Sequence, residues 1–318
     1  MMHSMRALVA GAALAATSGS NAAQAVVYSF QTIDVPGGQF TEAAGINDAG
    51  VIAGSFGNAG HTEGFVRSVN GTITPFLING SSPSVGGINN LGQIVGTLPG
   101  SLGFIRNADG SFVTFALPVG GAALDINNSG AVVGYSQSGG VTLGFIRNPD
   151  GSFLTIDDPA SSLNTVAQGI NNHGAIVGNF NFQSNAFLRD PNGTFMNFQF
   201  PGAIGQTAAF AINDLGDIGG FYDVRFNHGF VRFADGTFQT VDDPFRGNVS
   251  QVLGINDSED LVGLYIDGNG VVHGYLATPL NVAGVPELGT WAMMLIGFGG
   301  IALRLRCRND NHVTAIAP

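Results

Sequence analysis

One stretch of the sequence, VAQGINNHGAIVGNFNFQSNAFLRDPNGTFMNFQF at residues 166–200, contains every feature that repeats along the chain. It consists of four short apolar runs separated by short connecting strings rich in Asn, Gly and Asp. Runs of roughly four to eight residues bounded by such strings are typical of β-hairpins. We therefore predict four strands here, at Val166–Asn171, Ala175–Phe180, Asn185–Arg189 and Thr194–Phe200.

The pattern of this stretch is present six times along the chain. Its Ile-Asn pairs recur at spacings of 42, 38, 44, 42 and 43 residues and begin at Ile46, Ile88, Ile126, Ile170, Ile212 and Ile255. A glycine follows each isoleucine by eight positions, and five copies have another glycine at four positions, where the sixth has Glu259. We predict that these glycines provide backbone conformations with positive φ and close approach between strands.

Each copy continues with an aromatic residue, an arginine and a turn. The aromatic residue follows a small residue and is followed, two positions later in five copies, by Arg67, Arg106, Arg147, Arg189 or Arg232. Arginine is rarely buried unpaired, so we expect these side chains to pair with carboxylates such as Asp109, Asp150, Asp190 and Asp235. The Asn-Gly or Asp-Gly that comes next predicts a hairpin with a type I′ turn.

These units predict the fold. Four short strands in about 40–45 residues match one blade of a β-propeller. The sixth copy ends at Ala277 before a fourth strand, whereas residues 28–36 (YSFQTIDVP) repeat the fourth-strand text of residues 151–159 (GSFLTIDDP). Closure of the ring would remove exposed strand edges. We therefore predict an all-β fold, a six-bladed β-propeller of four-stranded blades over residues 26–280, in which the N-terminal strand completes the last blade.

The composition excludes several classes of protein. The chain has 318 residues, 44% of them hydrophobic, with a net charge of −11 and no lysine. Its hydrophobicity excludes an acidic disordered chain, the absence of a Gly-X-Y period excludes collagen, and a single cysteine excludes a disulfide scaffold or a cysteine-based zinc site. The acidic balance argues against nucleic acid as a partner and favours cations and neutral sugars as ligands.

The repeat also resembles a known family. It reads His-Gly-Phe at residues 228–230, Asn-Ala-Phe at 185–187 and His-Gly-Tyr at 273–275, each in the same relation to the turns around it. From Tyr28 to about Ala277 the chain resembles the HAF family of bacterial extracellular repeats, which is named for a His-Ala-Phe motif; no copy here has that motif intact. The resemblance implies an extracellular protein and no assigned catalysis.

The first 25 residues are predicted to be a secretory signal peptide. Arg6 gives the positive start, the ten residues 7–16 are apolar, and Ala23-Gln24-Ala25 fits the cleavage pattern of small residues. The apolar run is too short to span a membrane, which needs about 17–25 apolar residues. We expect the mature protein to be exported.

The other end of the chain carries a second sorting pattern. We predict a linker at residues 281–290, a transmembrane-like helix with a basic tail at 291–308 and a disordered tail at 309–318. Its distinguishing residues are Val285, Pro286, Glu287, Trp291, Arg304, Arg306 and Arg308. This order resembles the PEP-CTERM sorting signal of Gram-negative bacteria, although Leu288 replaces the second proline of Pro-Glu-Pro.

That resemblance implies an exosortase as a partner. Exosortases are membrane proteases, and this one would cleave near Pro286-Glu287 and pass the protein to the cell envelope or exopolysaccharide after transient anchoring. The alternative is a permanent tail anchor, with the three arginines kept on the cytoplasmic side.

Candidate binding residues are expected in loops, because loops on one face of a repeat scaffold usually hold its binding site. The loops between strands two and three of each copy, and those between the fourth strand and the next copy, fall on the same rim. The candidates on it are Asp157, Asp158, Asp242, Asp243, His61, His228 and His273. Together they could bind a divalent metal or a sugar, or they could be separate solvated loop residues. No His spacing typical of a transition-metal site occurs, so we expect no metal or other cofactor, with Ca²⁺ the ion to consider.

Two hypotheses about function follow. The chain has no nucleophile elbow, P-loop or dinucleotide fingerprint in a credible context, so no catalytic residue is assigned. The first hypothesis is a monomeric, non-enzymatic propeller acting in matrix structure, adhesion or glycan binding, with polysaccharide or surface components as partners. The alternative is a polysaccharide hydrolase or lyase with a His/Asp site on the rim.

Overall fold

The computed structural model describes residues 26–161 and 164–280, which form twenty-four β-strands and no helix. None of these residues therefore belongs to a helix that could cross a membrane. In chain order the strands are β1 (Tyr28–Ile33), β2 (Thr41–Ile46), β3 (Ile52–Asn58), β4 (His61–Arg67), β5 (Ile73–Phe76), β6 (Ser84–Ile88), β7 (Ile94–Leu98), β8 (Leu102–Arg106), β9 (Phe112–Ala116), β10 (Ala122–Ile126), β11 (Val132–Ser138), β12 (Val141–Arg147), β13 (Phe153–Ile156), β14 (Thr165–Ile170), β15 (Ile176–Phe180), β16 (Asn185–Arg189), β17 (Phe195–Phe198), β18 (Thr207–Ile212), β19 (Ile218–Asp223), β20 (Asn227–Arg232), β21 (Phe238–Thr240), β22 (Val249–Ile255), β23 (Leu261–Ile266) and β24 (Val272–Pro279).

The strands form sheets in which each repeat is an antiparallel meander. Repeats one to four are the separate four-stranded sheets β2–β5, β6–β9, β10–β13 and β14–β17. Repeats five (β18–β21) and six (β22–β24 with β1) belong to one eight-stranded sheet. A single parallel pair, Asn227 on β20 and Val249 on β22, joins the two repeats. The four strands predicted for residues 166–200 are all present, displaced by at most two residues at their ends.

The N-terminal strand lies where its sequence predicts. β1 pairs antiparallel with β24 over its whole length, from Tyr28 opposite Pro279 to Ile33 opposite Gly274. Residues 28–33 therefore take the fourth-strand position beside the last copy, which has no such strand of its own. Repeat six thereby has the same strand order as the four separate sheets.

The hairpin turns differ from the predicted type. In the turn after β4, Gly71 N donates to Ser68 O and Ser68 N donates to Thr72 O, and only Gly71 has positive φ, at 89°. The same holds for the glycines of the other Asn-Gly and Asp-Gly turns, so these are type I turns followed by a glycine bulge rather than type I′ turns. The prediction of a hairpin is confirmed, and the predicted turn type is wrong.

The two repeated glycines have the roles predicted for them. Gly50, four positions after Ile46, has a φ of 75°, and Glu259 takes the same left-handed conformation in repeat six with a φ of 60°. A Cβ on Gly54, eight positions after Ile46, would lie 2.1 Å from the carbonyl oxygen of Glu42 and 2.6 Å from the ring of Phe65. This glycine therefore lets the buried aromatic residue of each repeat pack across the second strand.

The repeated arginines do not form the predicted ion pairs. Among the described residues no ion pair joins them to Asp109, Asp150, Asp190 or Asp235. Those aspartates accept hydrogen bonds within their own turns, as Asp109 does from Ser111. Three of the arginines instead stack on a phenylalanine of the preceding repeat, at 4.4 to 5.1 Å from the ring centroid: Arg106 on Phe76, Arg147 on Phe115 and Arg232 on Phe198. The guanidinium groups thus connect neighbouring sheets through cation–π contacts.

Several predicted segments lie outside the described residues. These are the signal peptide at 1–25, the linker at 281–290, the sorting helix at 291–308 and the tail at 309–318, together with Val285, Pro286, Glu287, Trp291, Arg304, Arg306 and Arg308.

Candidate functional site

Two histidines on the predicted rim each form a compact polar unit with an aspartate. In repeat five, His228 Nδ1 lies 2.8 Å from Asp242 Oδ2, and Arg246 Nη2 lies 2.9 Å from the same oxygen. Arg246 Nη2 is also 3.2 Å from His228 Nδ1. The backbone N–H of Gly229 donates to the other Asp242 oxygen. Asp242 therefore holds the imidazole and the guanidinium side by side, and we call these three residues the repeat-five unit.

The equivalent unit in repeat six joins the two ends of the described chain. His273 Nδ1, on β24, lies 2.9 Å from Asp34 Oδ1, which directly follows β1. His273 Nε2 lies 3.7 Å from Asp267 Oδ2 in the adjoining hairpin. Both nitrogens of this imidazole thus face carboxylates, and no arginine pairs with Asp34 among the described residues. We call His273, Asp34 and Asp267 the repeat-six unit.

The same scaffold supports both units. His228 lies opposite Tyr222 across the β19–β20 pair, with the ring centroids 5.3 Å apart, and His273 stacks in the same way on Tyr265 at 4.9 Å. Each tyrosine hydroxyl shares a hydrogen bond with a threonine, Thr240 at 2.8 Å and Thr32 at 3.0 Å. Because the histidine, tyrosine and threonine occupy corresponding strand positions, the orientation of each imidazole is fixed by sheet geometry.

The remaining candidates are not part of these units. His61, in repeat one, lies 3.0 Å from Glu63 on its own strand, and no contact joins it to His228 or His273 among the described residues. Asp157 accepts a hydrogen bond from Thr165, and Asp158 accepts one from the backbone of Ala160. The rim therefore carries separate polar groups, and these contacts do not join His61, Asp157 or Asp158 to either unit.

Two buried aspartates at corresponding positions are incompletely satisfied. Asp158 and Asp243 are each 1% exposed, and the Oδ2 atom of each has no hydrogen-bond partner among the described residues. Burial raises the pKa of Asp243, while the N–H of Phe245 and the nearby His273 lower it. The sequence shows both as part of an Asp-Asp-Pro string, which gives no sign of which carboxylate is buried.

The opposite face of the molecule has two rings of hydrogen bonds built by the residues after each first strand. The side-chain amide of each Ile-Asn asparagine donates to the backbone carbonyl of the next one at 3.0 to 3.2 Å, in the order Asn47, Asn89, Asn127, Asn171, Asn213, Asn256 and back to Asn47. The residues that follow them, Asp48, Asn90, Asn128, Asn172, Asp214 and Asp257, form a second ring of backbone-to-side-chain bonds in the same order.

These rings surround a cavity of about 90 Å³ between the first strands of all six repeats. Its wall includes Asp125, whose carboxylate accepts hydrogen bonds from the N–H groups of Ile126 and Ile170. Burial raises the pKa of Asp125 to about 7 against the opposing effect of those two donors. None of the seven candidate rim residues lines this cavity.

The described residues contain no group of three or more His, Cys, Asp or Glu side chains placed to bind a metal ion. The string Asp267-Gly268-Asn269-Gly270 is a hairpin turn, because Gly270 N donates to Asp267 O and Asp267 Oδ1 accepts from the turn backbone. Both carboxylate oxygens of Asp267 accept hydrogen bonds from within this loop.

Comparisons with known proteins concern the fold. No protein-family model matches the sequence. No curated protein matches it either. Virginiamycin B lyase from Staphylococcus aureus has a similar structure, with 11% identity, a TM-score of 0.50 and coverage of 80% of this chain and 90% of that chain. A candidate gluconolactonase is similar with 10% identity, a TM-score of 0.54 and coverage of 79% and 92%.

The chain is an all-β propeller of four-stranded blades. At these identities the likeness extends to the fold alone. Repeats one to four are four such blades, each a separate sheet.

Proposed function

We propose that this chain is an exported, non-enzymatic propeller of six blades that binds polysaccharide through its rim and is displayed at the cell envelope or in the surrounding matrix. The blade count comes from dividing the eight-stranded sheet at its single parallel pair, Asn227 and Val249. Each half then has the strand order of the four separate sheets. The two rings of hydrogen bonds, which return from Asn256 to Asn47 and from Asp257 to Asp48, support a closed circle.

The observation that carries the binding function is the duplication of the histidine–aspartate unit on neighbouring blades. His228 and His273 are half-buried, fixed by a tyrosine on one side and held by a carboxylate at Nδ1. Groups that are oriented in this way can hydrogen-bond sugar hydroxyls with little loss of side-chain entropy. Two such units on adjacent blades suit an extended ligand made of repeating residues, which a polysaccharide is.

Retention on immobilised polysaccharides tests this function. We expect the purified full-length chain to be retained, and H228Q/D242N or H273Q/D34N to weaken retention by roughly tenfold, as loss of one or two charge-assisted hydrogen bonds would. The matched control is H61Q, which removes an exposed histidine–glutamate pair on a different blade. If the wild-type chain passes through neutral and acidic polysaccharides alike, the binding function is wrong.

Display at the envelope rests on the two terminal segments. The proposal is that a signal peptidase removes residues 1–25 and that an exosortase-type protease then cleaves near Pro286-Glu287. Cell fractionation tests it. Replacement of Arg304, Arg306 and Arg308 by glutamine should shift the protein from the envelope to another fraction, and an unchanged distribution would contradict the proposal.

A second candidate function is a polysaccharide hydrolase or lyase, and the repeat-six unit favours it. A histidine held by a carboxylate at 2.9 Å is the arrangement of a general base. In the repeat-five unit Arg246 neutralises Asp242, so His273 is the stronger candidate of the two. Both named structural neighbours fit a propeller with an active site, and the decisive measurement is product release: polysaccharide cleavage by the wild type that H273A abolishes would establish the enzyme.

A further inference from the structure

The described part of the chain leaves several large apolar side chains exposed on the rim of repeats four to six. The strand two-to-three loops and the inter-repeat loops carry Phe182, Ile204, Phe226 and Phe245, with exposed fractions of 69%, 75%, 47% and 66%. Single exposed apolar residues are ordinary, but four on adjoining loops of one rim indicate an interaction surface. The sequence pattern did not reveal them, because each lies at a position that differs between copies.

Phe182 is held exposed by a strained backbone. Asn181, Phe182 and Gln183 all have positive φ, at 51°, 58° and 67°, whereas the corresponding loops of repeats one and two have only two such residues each, one of them a glycine: Ala59 with Gly60, and Ser101 with Gly100. The left-handed region costs a non-glycine residue about 1–2 kcal/mol. A bulky aromatic residue that is both strained and exposed is expected where its side chain serves a function.

Hydrogen bonds connect these loops to one another. Gln206 Nε2 donates to Phe182 O, and Thr207 N donates to Gln183 O. The loop carrying Ile204 is bonded in turn to Asp223, at the start of the loop that carries Phe226. The strand after Phe226 carries His228, which hydrogen-bonds Asp242. Asp242 also pairs with Arg246, the residue that follows Phe245. The loops that carry the exposed apolar residues are therefore bonded to one another, and those of Phe226 and Phe245 adjoin the repeat-five unit.

This surface carries two arginines beside the carboxylates of Asp223, Asp242 and Asp243. Apart from the five repeated arginines, the described residues contain two more, Arg225 and Arg246, and each is adjacent in sequence to an exposed phenylalanine of the rim. Arg246 is paired with Asp242, whereas the exposed Arg225 side chain has no ion-pair partner among the described residues. Since salt screens charges beyond about 8 Å, a bound group senses the local charges, the Arg225 guanidinium and the neighbouring Asp223 carboxylate, more than the net charge of −11.

We propose that this rim surface binds an acidic polysaccharide, with Phe182, Phe226 and Phe245 packing against the C–H faces of sugar rings and Arg225 pairing with a uronate carboxylate. The proposal rests on the polysaccharide-binding function proposed above and names the class of ligand. A planar guanidinium suits a carboxylate because it can donate two parallel hydrogen bonds. The aromatic rings give contact area with few side-chain torsions to immobilise.

The test compares two forms of one polymer, polygalacturonate and its fully methyl-esterified form, which share a backbone and differ in charge. We expect the full-length chain to bind polygalacturonate at least tenfold more tightly than the ester, and this difference to shrink as salt is raised. R225Q should remove most of the preference, and R225K should retain part of it. Equal binding of both polymers would overturn the acidic ligand while leaving polysaccharide binding intact.

Substitutions of the aromatic residues locate the surface. F182A and F245A should each weaken binding to polygalacturonate by roughly tenfold, in the range found when one stacking ring is removed. The matched control is F112A, which truncates a phenylalanine that is 39% exposed on the outer strand β9. Unchanged binding in both rim variants would overturn this location. It would also be overturned if the chain bound a protein at this surface and bound no polysaccharide there. Failure of the wild type on every polymer would instead contradict the proposed function itself.

Discussion

The side-chain amide of Asn256 donates a hydrogen bond of 3.2 Å to the backbone carbonyl of Asn47, which lies 209 residues earlier in the chain. The equivalent bond between consecutive repeats, from the side-chain amide of Asn213 to the backbone carbonyl of Asn256, is 3.1 Å long. The contact between the first and last repeats is therefore built like the contact between sequential ones. In both cases the asparagine Oδ1 also holds the turn, by accepting the N–H four residues later.

These two asparagines allow a matched test of closure. N256D and N213D each keep the side-chain oxygen that accepts from the turn but lose the amide donor. A carboxylate then faces the carbonyl oxygen of the neighbouring repeat, which should lower the free energy of unfolding by about 1–3 kcal/mol. Each asparagine also has an aspartate four residues later, so local repulsion is matched. We expect equal falls in Tm, by about 2–4 °C per kcal/mol. A much smaller fall for N256D would contradict a closed ring.

Glu259 occupies a backbone position that five other repeats give to glycine. Its φ is 60°, and its pKa is raised by burial and by the charge of Asp217. We expect E259G to raise Tm by about 2–4 °C, because removal of left-handed strain from a non-glycine residue is worth about 1 kcal/mol. E259Q is the control, since it removes the charge and keeps the strain. An equal gain in both variants would assign the effect to repulsion from Asp217.

Gly87 and Asp125 are predicted to be coupled across two repeats. A Cβ on Gly87 would lie 2.1 Å from Asp125 Oδ1, with the Asp125 Cα at 3.3 Å. We expect G87A to destabilise the protein by about 1–3 kcal/mol through overpacking. In a D125A background the same substitution should cost much less, although D125A alone loses the bonds to Ile126 and Ile170. Urea unfolding of the double-mutant cycle measures the coupling, and additive effects would contradict the clash.

The pKa of Asp125 predicts a dependence of stability on pH. Burial raises it to about 7, above the value near 3.9 of an unfolded aspartate, so the folded state holds the proton over a range where the unfolded state has released it. The free energy of unfolding should therefore fall as pH rises from about 4 to 7. D125N lacks this titration. The difference in Tm, D125N minus wild type, should grow across that range, and a constant difference would contradict the raised pKa.

How far the sequence could predict this molecule depends on whether a feature is local. The strands and hairpins were predictable because Asn-Gly and Asp-Gly turns act within a few residues, and the pairing of β1 was predictable because residues 28–36 repeat the text of other fourth strands. The turn type was missed, since a type I turn with a bulge uses the same residues. The partners of Arg106 and Arg147 were missed because they lie on the preceding blade.

The candidate site was predictable in part. The likeness between His228 and His273 was visible, as was their place on the same rim as the aspartates that follow the fourth strands. Which of Asp242 and Asp243 faces the imidazole depends on the strand register, and the sequence alone left this undetermined. Phe182 was hidden for another reason: its importance comes from a backbone conformation that phenylalanine rarely adopts, which no pattern of residue types predicts.

Substitution of Phe182 also tests whether the proposed binding surface lowers the stability of the protein. F182G removes a left-handed phenylalanine and an exposed apolar side chain, so we expect Tm to rise by about 2–4 °C, a gain of about 1 kcal/mol. Binding to polygalacturonate should fall in the same variant, because the stacking ring is gone. Q183G is the matched control, since Gln183 has a φ of 67° and its backbone carbonyl bond to Thr207 is kept. It should raise Tm by a similar amount and leave binding unchanged. If Q183G weakens binding as much as F182G does, the surface depends on the rigidity of the loop and the ring of Phe182 has no special role.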